Sequence, residues 1–236
     1  MTHSDIAHLD VDGRSIAYRL RRGNVPTLVF LPGYASDMEG AKATALDCFA
    51  GRRNFGMLRL DYSGTGSSGG TFVDGTLELW LDEALAAIDR LTQGPLVLVG
   101  SSMGGWIALH VACLRPERIR ALVGIAAAPD FTNWGFTDAA DAERKGIARG
   151  FWESGQRLLL LDNDIPVDCP VRLLHGECDT EVPLETAFRT MRALRSGDVQ
   201  LTVPKGGGHR LSEPHEIDCI LRTVAGLTED RLEPAA

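Results

Sequence analysis

The sequence predicts an α/β protein with a mostly parallel central sheet and helices on both faces. Three observations carry this. Short apolar runs recur at 27–31, 56–60, 96–99, 122–125, 171–174 and 199–203, as strands buried on both faces require. Helical patterns separate most of them, and such alternation marks a doubly wound sheet. Ahead of these runs, residues 7–11 and 15–20 flank the turn pair Asp12-Gly13, which reads as a β-hairpin.

Each helix follows from its own pattern. Residues 41–50 form the first, after the strand at 27–31. In 76–91, Leu77, Trp80, Leu81, Ala84, Leu85, Ile88 and Leu91 share one face, with Thr76 as N-cap. Residues 103–114 are apolar nearly all round, as a helix packed under a central strand would be. The segment 183–194 opens with proline at a first-turn position. Ile217, Ile220, Leu221 and Val224 mark a last helix. From Asp130 to Asp168 the alternation fails: there is no strand, and 138–148 and 151–161 are helical. Long connections in compact domains tend to be functional. One domain over 1–236 is therefore expected, with a cap insertion at about 130–168; an ordinary crossover with one extra helix is the alternative.

Composition narrows the class. A chain of 236 residues buries enough surface to fold without metal or disulfide. A net charge of -8 disfavours nucleic acid and anionic membrane as partners. The five cysteines, Cys48, Cys113, Cys169, Cys178 and Cys219, are odd in number and form no C-x-x-C pair. That argues against a disulfide framework and a structural zinc site, and for a reducing compartment. The start of the sequence has neither a secretory nor a transit pattern, and no apolar run suits stable membrane insertion. A cytoplasmic protein is expected; its oligomeric state is left open.

The chemistry gathers at three places. Gly100, Ser102 and Gly104 form G-x-S-x-G between an apolar strand and an apolar helix. In that frame the serine sits on a strained turn with its Oγ outward, and flanking side chains would collide with it. Ser101 is one residue short of the midpoint, so Ser102 is the expected nucleophile. A serine hydroxyl needs a base. Of the six histidines, His209 follows the strand at 199–203 and three glycines, Gly206 to Gly208. His3 and His8 precede the sheet core, and His110 falls in the helix after Ser102. His175 ends a strand, where it could steady the acid loop, and His215 opens a helix. Asp179, beyond the carboxyl end of the strand at 171–174, is the expected acid. The order Ser102, Asp179, His209 is the one used with this strand–turn–helix serine. Asp130 is the other position an acid can take, and Glu177 and Glu181 stand beside Asp179. Oxyanion donors are expected from the backbone N–H groups of Met103 and of Tyr34 in Leu31-Pro32-Gly33-Tyr34. The Tyr34 ring could line the acyl pocket or simply pack. The Gly-rich run from Asp61 to Ser68 lacks the phosphate-loop lysine and spacing, so it reads as a supporting turn. No cofactor and no catalytic metal are indicated.

With these motifs in place, the chain resembles the α/β-hydrolase family that includes the mitochondrial palmitoyl-protein thioesterase and acyl-glucuronide deacylase. The resembling strings are Phe30-Leu31-Pro32-Gly33-Tyr34 with Gly40-Ala41-Lys42-Ala43, Arg59-Leu60-Asp61-Tyr62-Ser63-Gly64, Val99 to Trp106, Ile165 to Pro170 running into Leu173-Leu174-His175-Gly176, and His209-Arg210. The resemblance implies an α/β-hydrolase fold and a serine thioesterase or esterase with Ser102, Asp179 and His209 as its triad. It also implies an acylated small molecule or an S-acylated protein as substrate. The visible start lacks a transit peptide, so a bacterial cytoplasmic relative is expected. The stretch 130–168 departs from the family's cap, which leaves the acyl group open. The same triad also serves carbon–carbon bond hydrolases. A non-catalytic ligand-binding protein of this fold usually lacks a triad member, and none is missing here.

Overall fold

The computed structural model describes residues 5–228, so His3 and both chain ends of the expected 1–236 domain lie outside the described residues. The strands are β1 (Ala7–Val11), β2 (Arg14–Arg21), β3 (Asn24–Leu31), β4 (Phe55–Leu60), β5 (Leu96–Ser101), β6 (Ile119–Ile125), β7 (Val171–Leu174) and β8 (Val199–Thr202). They form one sheet in the order β1-β2-β4-β3-β5-β6-β7-β8. The hairpin β1–β2 is antiparallel and joins β4 antiparallel; from β4 onward every pairing is parallel. The predicted α/β sheet and its opening hairpin are therefore the observed ones. The turn matches its sequence signal, with both Asp12 and Gly13 at positive φ.

The helices are α1 (Ala41–Arg53), α2 (Leu77–Leu91), α3 (Met103–Leu114), α4 (Phe131–Trp134), α5 (Ala139–Arg144), α6 (Arg149–Arg157), α7 (Leu184–Ala193) and α8 (Pro214–Thr228). Two apolar layers cover the sheet. One holds Trp80 and Ile88 of α2, Trp106 and Val111 of α3, and Phe151 of α6 against Leu58, Leu98 and Leu122. The other packs Leu46 and Phe49 of α1 with Ile220 and Val224 of α8 against Leu28, Val97 and Val123. Thr76 caps α2 as expected, its hydroxyl accepting from the Leu79 N–H. Pro183 differs from expectation: it is the residue before α7, and the helix proper begins at Leu184. An extended ψ of 136° at Pro183 keeps it out of the first turn.

The segment between β6 and β7 carries no strand, as anticipated, but its helices are shorter and more numerous than the pattern indicated. Gly146, at φ 86°, ends the middle one early. Phe131–Trp134 adds a single turn whose aromatic spacing did not stand out as helical. This segment is latched at two points. The Asp130 carboxylate accepts from the Leu160 and Leu161 N–H groups at 2.9 and 2.7 Å. Ser154 accepts from the Glu78 N–H at 2.9 Å, and Arg157 grips the Glu78 carboxylate with two hydrogen bonds.

Candidate active site

The carboxyl ends of β3, β5, β7 and β8 bring the expected residues to one edge of the sheet, where open α/β sheets bind ligands. Ser102 joins β5 to α3 at φ 54°, ψ -121°. A non-glycine residue in that region costs about 1–3 kcal/mol and persists only where its surroundings impose it. The constraint comes from its neighbours. A Cβ on Gly104 would lie 2.0 Å from the Leu31 carbonyl oxygen, and one on Gly100 would lie 2.3 Å from that of Gly104. The glycines therefore let the helix start settle against the ends of β5 and β3. This corrects the expected reason for them: the clashes they avoid are with backbone, not with the serine. The turn is further fixed by the Ser102 N–H donating to Ile125 and the Ala128 N–H donating to the Ser102 carbonyl.

Ser102 Oγ lies 3.1 Å from His209 Nε2, and His209 Nδ1 lies 2.9 Å from Asp179 Oδ2. Burial alone would raise the Asp179 pKa and is the largest single effect. The hydrogen bonds from His209 and from the Val182 and Glu181 N–H groups outweigh it and hold the carboxyl below its usual range. His175, fully buried, stands 3.4 Å from the same Asp179 oxygen and 2.9 Å from the Val182 carbonyl oxygen. It sits where a residue steadying the acid loop would sit. The loops carrying Asp179 and His209 are joined directly: the Cys178 and Glu177 N–H groups donate to the Gly207 and Pro204 carbonyls. Gly176 allows that approach, since a Cβ there would meet the Gly207 oxygen at 2.3 Å.

The remaining sequence-level alternatives fall elsewhere. Asp130 is committed to the cap N–H groups described above. Glu177 accepts from the Gly206 N–H. His110 is hydrogen-bonded to the Leu158 carbonyl, beside the Trp106 indole that donates to the same oxygen. His8 is hydrogen-bonded to Ser15 in the hairpin. Glu181 is exposed, as expected, yet its carboxylate lies 3.8 Å from His209 Nε2. That proximity carries no signal in the sequence beyond its position two residues past Asp179.

Gly33 brings the loop after β3 against Ser102: a Cβ there would be 3.2 Å from Ser102 Cβ. Tyr34 follows Gly33 on this loop, and Met103 is the first residue of α3, directly after Ser102. The run from Asp61 to Ser68 acts as the supporting turn. Buried Asp61 accepts from the Met38 and Ser67 N–H groups, and buried Arg59 donates to the Met38 carbonyl at 2.6 Å. Buried Arg59 in β4 and buried Asp61 just past its end thus clamp Met38, at the far end of the loop that carries Tyr34.

Above Ser102 opens a cavity of about 820 Å³. The cap supplies Phe131, Trp134, Phe136 and Ile147 to its wall. The Tyr34 ring belongs to an aromatic cluster with Phe72, Phe131 and Phe151, at centroid distances of 5.0, 6.3 and 4.9 Å; it both packs and lines the cavity. Sequence reasoning missed these cap aromatics, although Phe131, Trp134 and Phe136 cluster directly after Asp130. Among the described residues no group of three or more His, Cys, Asp or Glu could hold a metal, and no helix is long and apolar enough to cross a membrane.

Residues 26–154 match the family profile described as alpha/beta hydrolase fold. The chain is 36% identical over 235 residues to human mitochondrial palmitoyl-protein thioesterase ABHD10, covering 91% of this chain and 77% of that protein. The solved structure of mouse alpha/beta hydrolase domain-containing protein 10 superposes with a TM-score of 0.88 at 33% identity, over 95% of this chain and 98% of that one. A putative hydrolase from Agrobacterium vitis S4 superposes at 0.87 with 36% identity, over 97% and 99% of the two chains. Sheet order, profile and relatives agree: the chain belongs to the α/β hydrolase family.

Proposed function

We propose that this protein is a serine hydrolase that cleaves thioester or ester bonds of acylated substrates through an acyl-enzyme on Ser102. The observation that carries this is the continuous relay from Ser102 Oγ through the His209 imidazole to Asp179, at 3.1 and 2.9 Å, beneath a cavity walled on one side by aromatic residues. His209 Nε2 takes the Ser102 proton as Oγ attacks the acyl carbon. Negative charge gathers on the carbonyl oxygen, towards which the Met103 and Tyr34 N–H groups donate. As the bond to the departing sulfur or oxygen breaks, the imidazolium returns the proton to that atom. Water, deprotonated by His209, then releases the acid and frees Ser102. Asp179 holds the imidazole in the tautomer with its Nε2 lone pair towards the serine and stabilises the imidazolium.

The aromatic wall favours an acyl chain over a polar group at the carbonyl side, in keeping with relatives named palmitoyl-protein thioesterase. The substrate is an S-acylated protein or an acylated small molecule. Five unpaired thiols suit a reducing compartment, and the cytoplasm is our assignment. Labelling with a fluorophosphonate probe tests the nucleophile. Wild-type protein should react stoichiometrically at neutral pH, and Ser102→Ala should not. Labelling that survives the substitution rules out Ser102. A panel of acyl thioesters, aryl esters and a vinylogous diketone then separates acyl transfer from carbon–carbon bond hydrolysis.

A further inference from the structure

The cavity over Ser102 has a second chemical character. Besides the cap aromatics, it is lined by Lys42 and Arg210 together with Ser36 and Ser212. The Lys42 ammonium donates to the Arg210 carbonyl, which places the two basic residues side by side. Arg210 directly follows the base His209. Many cations elsewhere on this acidic protein pair with carboxylates, as Arg157 does with Glu78 and Arg195 with Asp168. Lys42 and Arg210 have no such ion pair among the described residues.

The fold gains little from a cation at this place. Lys42 stands in the first turn of α1, which contains no acidic residue, and a positive charge there opposes the helix dipole. Burial, then the neighbouring Arg210, lower its pKa; the carboxylate that opposes this is Glu216, which accepts from the Glu213 N–H. Two other carboxylates line the cavity. Asp37 accepts from the Glu39 N–H, and Glu181 lies beside His209 Nε2. Glu181 would repel an anion at the reacting atoms, so a bound negative charge must stand several bonds away from them.

Direction follows from the chemistry, and this step rests on the hydrolase function proposed above. His209 must hand its proton to the departing atom, so the leaving group extends along the base's side of the cavity, towards Arg210. The acyl chain takes the remaining direction, towards the cap aromatics. We propose that Lys42 and Arg210 form a leaving-group subsite that selects substrates whose departing thiol or alcohol carries a carboxylate or phosphate.

The test compares kcat/KM for octanoyl thioesters of 3-mercaptopropionamide, 3-mercaptopropionate and 2-mercaptoethyl phosphate. A fourth arm places the carboxylate at the far end of the acyl chain, on the neutral thiol. The expected result is a preference of about 10-fold for one or both anionic thiols over the neutral one, falling as salt is raised. Lys42→Met combined with Arg210→Met should bring the ratio close to one, and Lys42→Arg should retain it. The carboxylate and phosphate arms separate the two sources of charge. A ratio unchanged in the double variant, or indifferent to salt in the wild-type protein, overturns the subsite. So does a preference confined to the acyl-end carboxylate. An equal loss on all thioesters would show Lys42 acting only as a tie to the Arg210 carbonyl, and also overturns it. In those cases the hydrolase function still stands. Failure of every thioester, together with no fluorophosphonate labelling, sinks both.

Discussion

At the scale of single residues, the acid is the sharpest test. Asp179→Asn keeps the shape of the loop but favours the wrong imidazole tautomer, and kcat should fall by about 10^4-fold with KM little changed. The same substitution bears on acid stability. The Asp179 carboxyl is held below its usual value in the folded state. Its stabilising contribution is therefore present above the unfolded value of about 4 and is lost as pH falls through the folded one. Urea denaturation between pH 5 and pH 3 should show a shallower loss of stability in Asp179→Asn than in wild type. The thiols give an independent check. Burial pushes Cys169 up to about 11, so at pH 8 only roughly one molecule in a thousand carries its thiolate. Cys178 is exposed. Iodoacetamide at pH 8 should alkylate Cys178 first and leave Cys169 intact, read by peptide mass spectrometry.

At the scale of elements, the strands and the elbow were legible in the sequence because each depends on local signals: apolar runs, paired glycines, a turn pair. The positions of Ser102, Asp179 and His209 were legible for the same reason, each standing just past the carboxyl end of an apolar run. The cap was legible as a gap in the alternation, not in its detail. Helices as short as Phe131–Trp134 owe their form to packing, and the residues that hold them act across the chain. Asp130 illustrates this. From sequence it competes with Asp179 as an acid; in the structure it satisfies two N–H groups thirty residues later. Asp130→Ala would leave those donors without their acceptor and should cost about 1–3 kcal/mol. Hydrogen exchange should rise first at Leu160 and Leu161. Fluorophosphonate labelling of Ser102 should be less affected than acyl-chain preference.

For the whole molecule, one buried charge cluster ties the sheet to the site. Arg59 is fully buried in β4, with Asp47 of α1 at 3.6 Å. Asp47 also accepts two hydrogen bonds from Arg21 of β2, at 3.0 and 3.1 Å. Sequence alone gave no sign of it, because the three residues come from different elements and meet only when β2 and β4 pair. Asp47→Ala would leave the buried Arg59 guanidinium with Glu39 at 3.5 Å and the Met38 carbonyl, and should cost about 3–5 kcal/mol. Thermal unfolding should show a drop in Tm of roughly 10 °C. Arg59 also holds the Met38 carbonyl, so the loop carrying Tyr34 should loosen before the sheet melts.

The knitting of the acid and base loops through Gly176 and Gly207 separates what this fold can vary from what it cannot. In the proposed mechanism the proton-transfer residues form one block, because the loops that carry Asp179 and His209 are hydrogen-bonded to each other and a shift of either strains that contact. The aromatic roof is a detachable part, inserted between two sheet strands and fastened by Asp130 and Glu78. If the proposed mechanism holds, exchanging this roof as a cassette, with Asp130 and Glu78 kept, should change substrate scope while leaving the residues beneath in place.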